Sequence, residues 1–172
     1  DEFRTHLGRR YALQKAAVCL TKAGDFPKAL DLFSRMADFD NADFDQQARY
    51  HFGFALAKTG DYFGAMAQWQ SLDSRDTAFS QQRATVLANA VDQVYKDLKA
   101  GAQSPEEPGI EEKYKRAEQV SAFIRPDDSQ ELKDGIESLL VYSKVIYARI
   151  KWEAEDYEAV VGLVEDLWAD PE

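Results

Sequence analysis

Nucleophilic catalysis needs a thiol or hydroxyl with a base beside it, and this chain offers one cysteine, Cys19, and two histidines, His6 and His51. A thiolate nucleophile requires a cationic or histidine neighbour to lower its pKa. Neither histidine stands in a recognisable local motif. Cys19 lies between Val18 and Leu20 in a helical apolar pattern, so it reads as a small buried apolar side chain. A single cysteine also excludes an internal disulfide. Oxygen ligands for a hard cation occur in two places. Asp38, Asp40, Asp43 and Asp45 form an acidic cluster, but a calcium loop also needs a glycine at its bend and a closing glutamate, and both are missing. The cluster therefore reads as capping and solubilising residues. Glu106, Glu107, Glu111 and Glu112 flank a Pro-Gly stretch and read as a solvated acidic loop. There is no Gly-rich phosphate loop, no Cys/His zinc spacing and no Gly-x-Ser-x-Gly. The expectation is a protein without catalysis, cofactor or metal.

Charge narrows the partner class. The net charge is −10, and it is unevenly placed: residues 1–76 carry 10 Lys/Arg and 11 Asp/Glu, residues 77–172 carry 11 and 20. An acidic half disfavours a phosphate backbone or an anionic membrane as partner. It permits a basic protein partner. No apolar run approaches the roughly 18 residues a membrane helix needs. The first residues do not resemble a signal peptide, and a cytoplasmic protein is expected. The chain lacks an initiator Met and reads as a piece of a larger protein.

The positioning elements are all helical by their periodicity. Tyr11, Leu13, Ala16, Ala17 and Leu20 recur at helical spacing over 10–22, and residues 1–9 carry no readable pattern. Ala23-Gly24-Asp25 stops this helix: glycine suits the left-handed residue after a helix end, and aspartate suits the next N-cap. Phe26, Ala29, Leu30, Phe33 and Met36 then make one apolar stripe. From about Phe44 the pattern repeats. Tyr50, Phe52, Gly53, Phe54, Leu56 and Ala57 make a helix apolar on more than one side, as in a helix sandwiched between neighbours. Gly53 within it predicts a close approach by another helix. Gly60-Asp61 lies 36 residues after Gly24-Asp25, and Tyr62, Ala65, Met66, Trp69 and Leu72 repeat the stripe. A long helix is predicted over 77–99. A Gly/Pro-rich insertion follows at 100–110, then a helix through Tyr114, Ala117 and Val120. Asp127-Asp-Ser129 predicts the N-cap of a helix about 25 residues long, and Glu155-Asp156-Tyr157 stands where the other pairs have Gly-Asp-aromatic. Trp69 and Trp168 are core candidates.

A period near 34 residues, two antiparallel helices per unit and a Gly-Asp-aromatic turn resemble the tetratricopeptide repeat. Phe26, Ala29 and Phe33 match the family's aromatic, small and aromatic positions after the turn, as do Tyr62, Ala65 and Trp69. Phe52-Gly53 stands where the family has Leu-Gly, and Ala16-Ala17 stands there in the first unit. The family's closing proline is absent from both. The resemblance implies an all-α, right-handed superhelix of about eight helices, a solenoid forming one domain over 1–172. Its units would be about 10–39, 44–75, 77–125 with the insertion, and a weaker 128–169.

That resemblance also implies where a partner would bind. First helices of successive units line a concave groove. Tyr11, Gln14 and Val18 would point into it from the first unit, Gln47, Tyr50 and Phe54 from the second, and Tyr142, Val145 and Arg149 from the last. Such a surface suits an extended or helical peptide. Changing Tyr50 and Phe54 to Ala is expected to abolish capture of a partner and leave helicity intact. Relatives that grip chaperone C-termini use a Lys/Asn/Arg clamp. Gln14, Val18 and His51 occupy the corresponding places, so that specialisation is not expected. The expected function is a non-catalytic protein–protein interaction scaffold. The alternatives are a homo-oligomerisation module, pairing as a homodimer, and a small acidic secretion chaperone.

Overall fold

The computed structural model describes residues 2–37, 45–72, 77–101 and 109–168, with side chains described except at 2–7, 37, 77, 110 and 166–168. These residues form eight α-helices and no strand: α1 (Glu2–Ala23), α2 (Phe26–Ala37), α3 (Gln46–Lys58), α4 (Tyr62–Trp69), α5 (Thr77–Gly101), α6 (Ile110–Ser121), α7 (Gln130–Glu153) and α8 (Tyr157–Trp168). The all-α expectation holds. Residues 2–9, which carried no readable pattern, belong to α1. Most of the 100–110 insertion, Trp168's side chain and three members of the Asp38–Asp45 cluster lie outside the described set. Among the described residues, no helix is long and apolar enough to cross a membrane.

Three helix pairs turn in the same way. At the first turn the Asp25 amide donates to the Leu20 carbonyl at 3.0 Å and the Gly24 amide donates to Thr21 at 3.1 Å. At the second, Asp61 donates to Leu56 at 2.9 Å and Gly60 to Ala57 at 3.2 Å. At the third, Asp156 donates to Lys151 at 2.9 Å and Glu155 to Trp152 at 3.0 Å. This is the Schellman arrangement, which satisfies two carbonyls at a helix end and requires a left-handed residue at the bend. Gly24 and Gly60 sit there at φ 82° and 89°. Glu155 sits there at φ 60°, the only non-glycine with positive φ among the described residues. A side chain in that conformation costs roughly 1–2 kcal/mol.

The same aspartate that ends one helix begins the next. Asp61 Oδ1 accepts from the Gly64 amide at 2.9 Å, Asp156 Oδ1 from Ala159 at 3.3 Å and Asp25 Oδ1 from Lys28 at 3.4 Å. Asp25 leans instead on the Lys28 ammonium, 2.7 Å from its other oxygen, and Asp156 on Lys151 at 3.0 Å. Those cations hold both carboxyls below the usual carboxylate range. Elsewhere Asp45 caps α3 through the Ala48 amide at 2.7 Å, and Ser129 caps α7 through Leu132 at 3.3 Å.

The chain divides into two compact units, Asp1–Val86 and Leu87–Glu172, with the division inside α5. In the first unit α3 packs against α1, α2 and α4, the sandwiched position its two-sided apolar pattern predicts. Ala17, Val18, Ala29, Phe33, Met36, Ala48 and Ala55 form one buried cluster, with Phe26, Leu30 and Phe52 packed against it. A β-carbon at Gly53 would fall within the van der Waals surface of the Trp69 indole nitrogen and 2.6 Å from its Cδ1, which is the close approach expected of that glycine. Trp69 is fully buried. In the second unit α7 packs against α6 and α8. The buried side chains there are aliphatic: Leu87, Ala90, Val94 and Leu98 on α5, Ala117 and Val120 on α6, Ile136, Leu139 and Ile146 on α7.

Cys19 departs from its reading: the thiol is exposed. The buried line of α1 runs through Gln14, Ala17, Val18 and Thr21. Cys19 is one residue on from Val18, about 100° around the helix, and so faces away. Thr21 tolerates burial because its hydroxyl donates to the Ala17 carbonyl at 3.0 Å, one turn back.

Candidate partner-binding surfaces

The nine residues assigned to a groove by the repeat resemblance fall into three kinds of environment. Gln14 and Val18 are packed, at 7% and 5% exposure, and Val18 belongs to the first unit's core. They present almost no surface to a partner, because α1 packs against both α2 and α3 and two of its sides are used. Tyr11, one turn before Gln14, is 62% exposed, with the Lys15 ammonium 5.2 Å above its ring. Gln47 is also exposed and accepts from Lys15 at 3.4 Å. Tyr11 and Gln47 are thus joined through one lysine.

Tyr50 and Phe54 are half-buried members of an aromatic network. Tyr50 stacks on Trp69 at 6.1 Å and on Phe54 at 6.3 Å, and meets Phe79 edge-on at 5.9 Å. Its hydroxyl donates to Gln82 Oε1 at 2.8 Å, and its carbonyl accepts from Trp69 Nε1 at 3.0 Å. Phe54 meets Phe26 edge-on at 6.0 Å and carries the Lys58 ammonium at 5.3 Å. Truncating Tyr50 would remove ring contacts to Phe54, Trp69, Phe79 and His51 and leave Gln82 without its phenol donor, so its loss damages packing before it touches any partner. Burial, and secondarily the charge of Lys22, hold the His51 imidazole below the usual histidine range. Its Nδ1 is buried without a hydrogen bond. A neutral imidazole so placed offers no cationic clamp.

The last three residues lie on α7. Tyr142 is half-buried against Tyr95 of α5, ring centroids 4.8 Å apart. Val145 is 53% exposed, and Arg149 is exposed and paired with Glu153 at 2.9 Å. Around them lies surface that the repeat reading passed over. Val141 and Trp152 share the outward stripe of α7 with Val145, and Trp152 is 61% exposed. Its ring meets Tyr157 of α8 at 5.2 Å. Tyr157 and Val161, one turn apart on α8, are both more than half exposed. The spacing 141, 145, 152 is legible as a helical face, but sequence alone does not say whether a face is turned inward or outward.

Two acidic residues of α6's first turn pair along their own helix. Glu111 pairs with Lys115 at 2.8 Å and Glu112 with Arg116 at 3.1 Å, both one turn along α6. No group of three or more metal-ligating side chains occurs among the described residues. A scan against protein-family models, a search of curated proteins and a search of solved structures each found no match.

Proposed function

We propose that the chain is a tetratricopeptide-like, right-handed stack of helix pairs that acts as a protein–protein interaction scaffold and does no chemistry of its own. The observation that carries this reading is the recurrence of one turn. The same pair of reverse hydrogen bonds and the same aspartate cap close α1–α2, α3–α4 and α7–α8. Repeated pairs of this kind bury their inner faces on one another and leave outer faces for a partner. Support comes also from first-helix side chains that stay exposed, Tyr11 on α1 and Val145 on α7. The partner is a peptide or protein held on those faces. Asp45, Asp61 and Asp156 are engaged in caps, and Glu111 and Glu112 in ion pairs along one helix. A homo-oligomer is the weaker reading, because the second unit holds 10 Lys/Arg against 20 Asp/Glu and would repel its own copy.

The test is a photo-crosslinker. A benzophenone amino acid replaces Tyr11 or Val145, with exposed Ala122 as control, in the protein expressed in its native cells. Discrete protein adducts at the first two positions and none at Ala122 are expected. Absence of adducts at both overturns the reading.

A further inference from the structure

We propose that the outward stripe of α7, continued onto α8, docks a cationic amphipathic helix of a partner protein. The proposal rests on the scaffold reading and names the chemistry of the partner. Single exposed apolar side chains are ordinary on protein surfaces. A contiguous set is not. Of the seven large apolar side chains exposed among the described residues, five lie on this one helix pair: Val141, Val145, Trp152, Tyr157 and Val161. Val141, Val145 and Trp152 follow at four and seven residues, so they stand on one side of α7 over about 17 Å. The Trp152–Tyr157 ring contact joins that stripe to the Tyr157–Val161 stripe of α8.

Charge selects the occupant. The second unit carries a net −10, while the first is neutral with 11 residues of each sign. Glu137, Glu158 and Glu165 are exposed on the same two helices and form no ion pair among the described residues. Two cations of α7 are engaged with carboxylates, Arg149 with Glu153 and Lys151 with Asp156. An apolar stripe within an uncompensated acidic field attracts a segment that is apolar on one face and basic on the other. A second copy of this chain would bring an equal negative charge to the same face. A strand is disfavoured as well, since a helical surface offers no backbone edge for it to pair with. A helix of three to four turns matches the length of the stripe.

The experiment uses the whole chain and a labelled peptide of Leu and Lys, about 18 residues long, patterned to form an amphipathic helix of roughly five turns. Fluorescence anisotropy reads its affinity beside a scrambled peptide of the same composition and a Leu/Glu analogue of the same pattern. The expected result is binding of the Leu/Lys helix, binding of the scrambled peptide at least about tenfold weaker, and none of the acidic analogue. The double variant Val145→Ser/Trp152→Ser should weaken the Leu/Lys helix by about tenfold or more at unchanged far-ultraviolet circular dichroism. Should that variant lose structure, Val141→Lys/Val145→Lys adds charge at exposed positions and should have the same effect. Equal affinity for the patterned and scrambled peptides overturns the proposal, as does binding unaffected by a folded variant. A dimer in sedimentation that Val145→Ser dissociates assigns the face to a second copy and also overturns it. Crosslinks at Val145 without peptide binding would sink the cationic helix and leave the scaffold standing. Crosslinks at neither Val145 nor Tyr11 would sink the scaffold itself.

Discussion

The two compact units hold themselves together with different residues. In the first, Phe33 and Phe52 stack at 4.8 Å, and Trp69 and Phe79 meet edge-on at 5.5 Å. Tyr50 links that second pair to Phe54 and Phe26, so rings from α2, α3, α4 and α5 form a connected interior. In the second unit the rings occur as separate pairs: Tyr95 with Tyr142, Tyr114 with Tyr147 at 4.6 Å, Trp152 with Tyr157. None of its described aromatic side chains is fully buried, and aliphatic side chains fill its core instead. The first unit is also electrically neutral, whereas the second carries the whole net charge of the chain. A ring placed inside supplies packing; a ring left outside is available for recognition. The difference explains why the strongest repeat signature and the most exposed apolar surface lie in different halves of the chain.

The sharpest way to break this comparison is to remove the same residue type from both units. Trp69→Ala should cost about 3–5 kcal/mol, the usual range for emptying a large aromatic site. Trp152→Ser should stay within about 0.5 kcal/mol, as for surface positions. Urea denaturation of the two variants reads both, and equal costs would refute the division into structural and exposed rings. Next in size is Gly53→Ala. The added methyl collides with the Trp69 indole, an overpacking worth about 1–3 kcal/mol, against about 1 kcal/mol gained in helix propensity. Net destabilisation is expected in urea, and a more stable variant would show that Trp69 can retreat.

The turns allow a finer comparison. Glu155→Gly places the residue favoured by a left-handed bend where the other two pairs already have it, and should stabilise the second unit by about 1 kcal/mol. The reverse change, Gly60→Glu, should destabilise the first by a similar amount. Thermal melting of both variants checks the pair, and no change in either would mean that the turns tolerate any residue.

The smallest effect concerns pH. The folded state disfavours protonated His51, so the unfolded chain binds more protons between the lowered folded value and the ordinary value of 6.5. Stability is therefore full above about pH 6.5 and falls as the pH drops through that window. Asp25 and Asp156, with lowered values, lose their contributions only further into acid, below the ordinary 3.8. His51→Gln should flatten the stability curve between pH 6.5 and the onset of carboxylate titration. A slope that survives the substitution would place the proton elsewhere.

What the sequence by itself determined about this protein is its local grammar. The three turns, the aspartate and serine caps and the close approach at Gly53 were all readable. Each depends on conformational preferences of a few residues: a left-handed bend wants glycine, an N-cap wants a short oxygen, and a glycine amid aromatic residues marks a contact. Even Glu155, the poor residue at the third bend, betrayed its turn through Asp156 and Tyr157 beside it. What only the tertiary structure decided is which side of each helix is covered. Gln14, Val18 and Cys19 lie within six residues of one another, yet two are packed and one is exposed. Tyr50 reads as a groove residue until Trp69, Phe79 and Gln82 close around it. Val145, expected in a groove, and Trp152 both stand exposed on α7 among the described residues. Burial of a face is settled by elements distant in the chain, and a periodic pattern announces that a face exists without saying what lies against it.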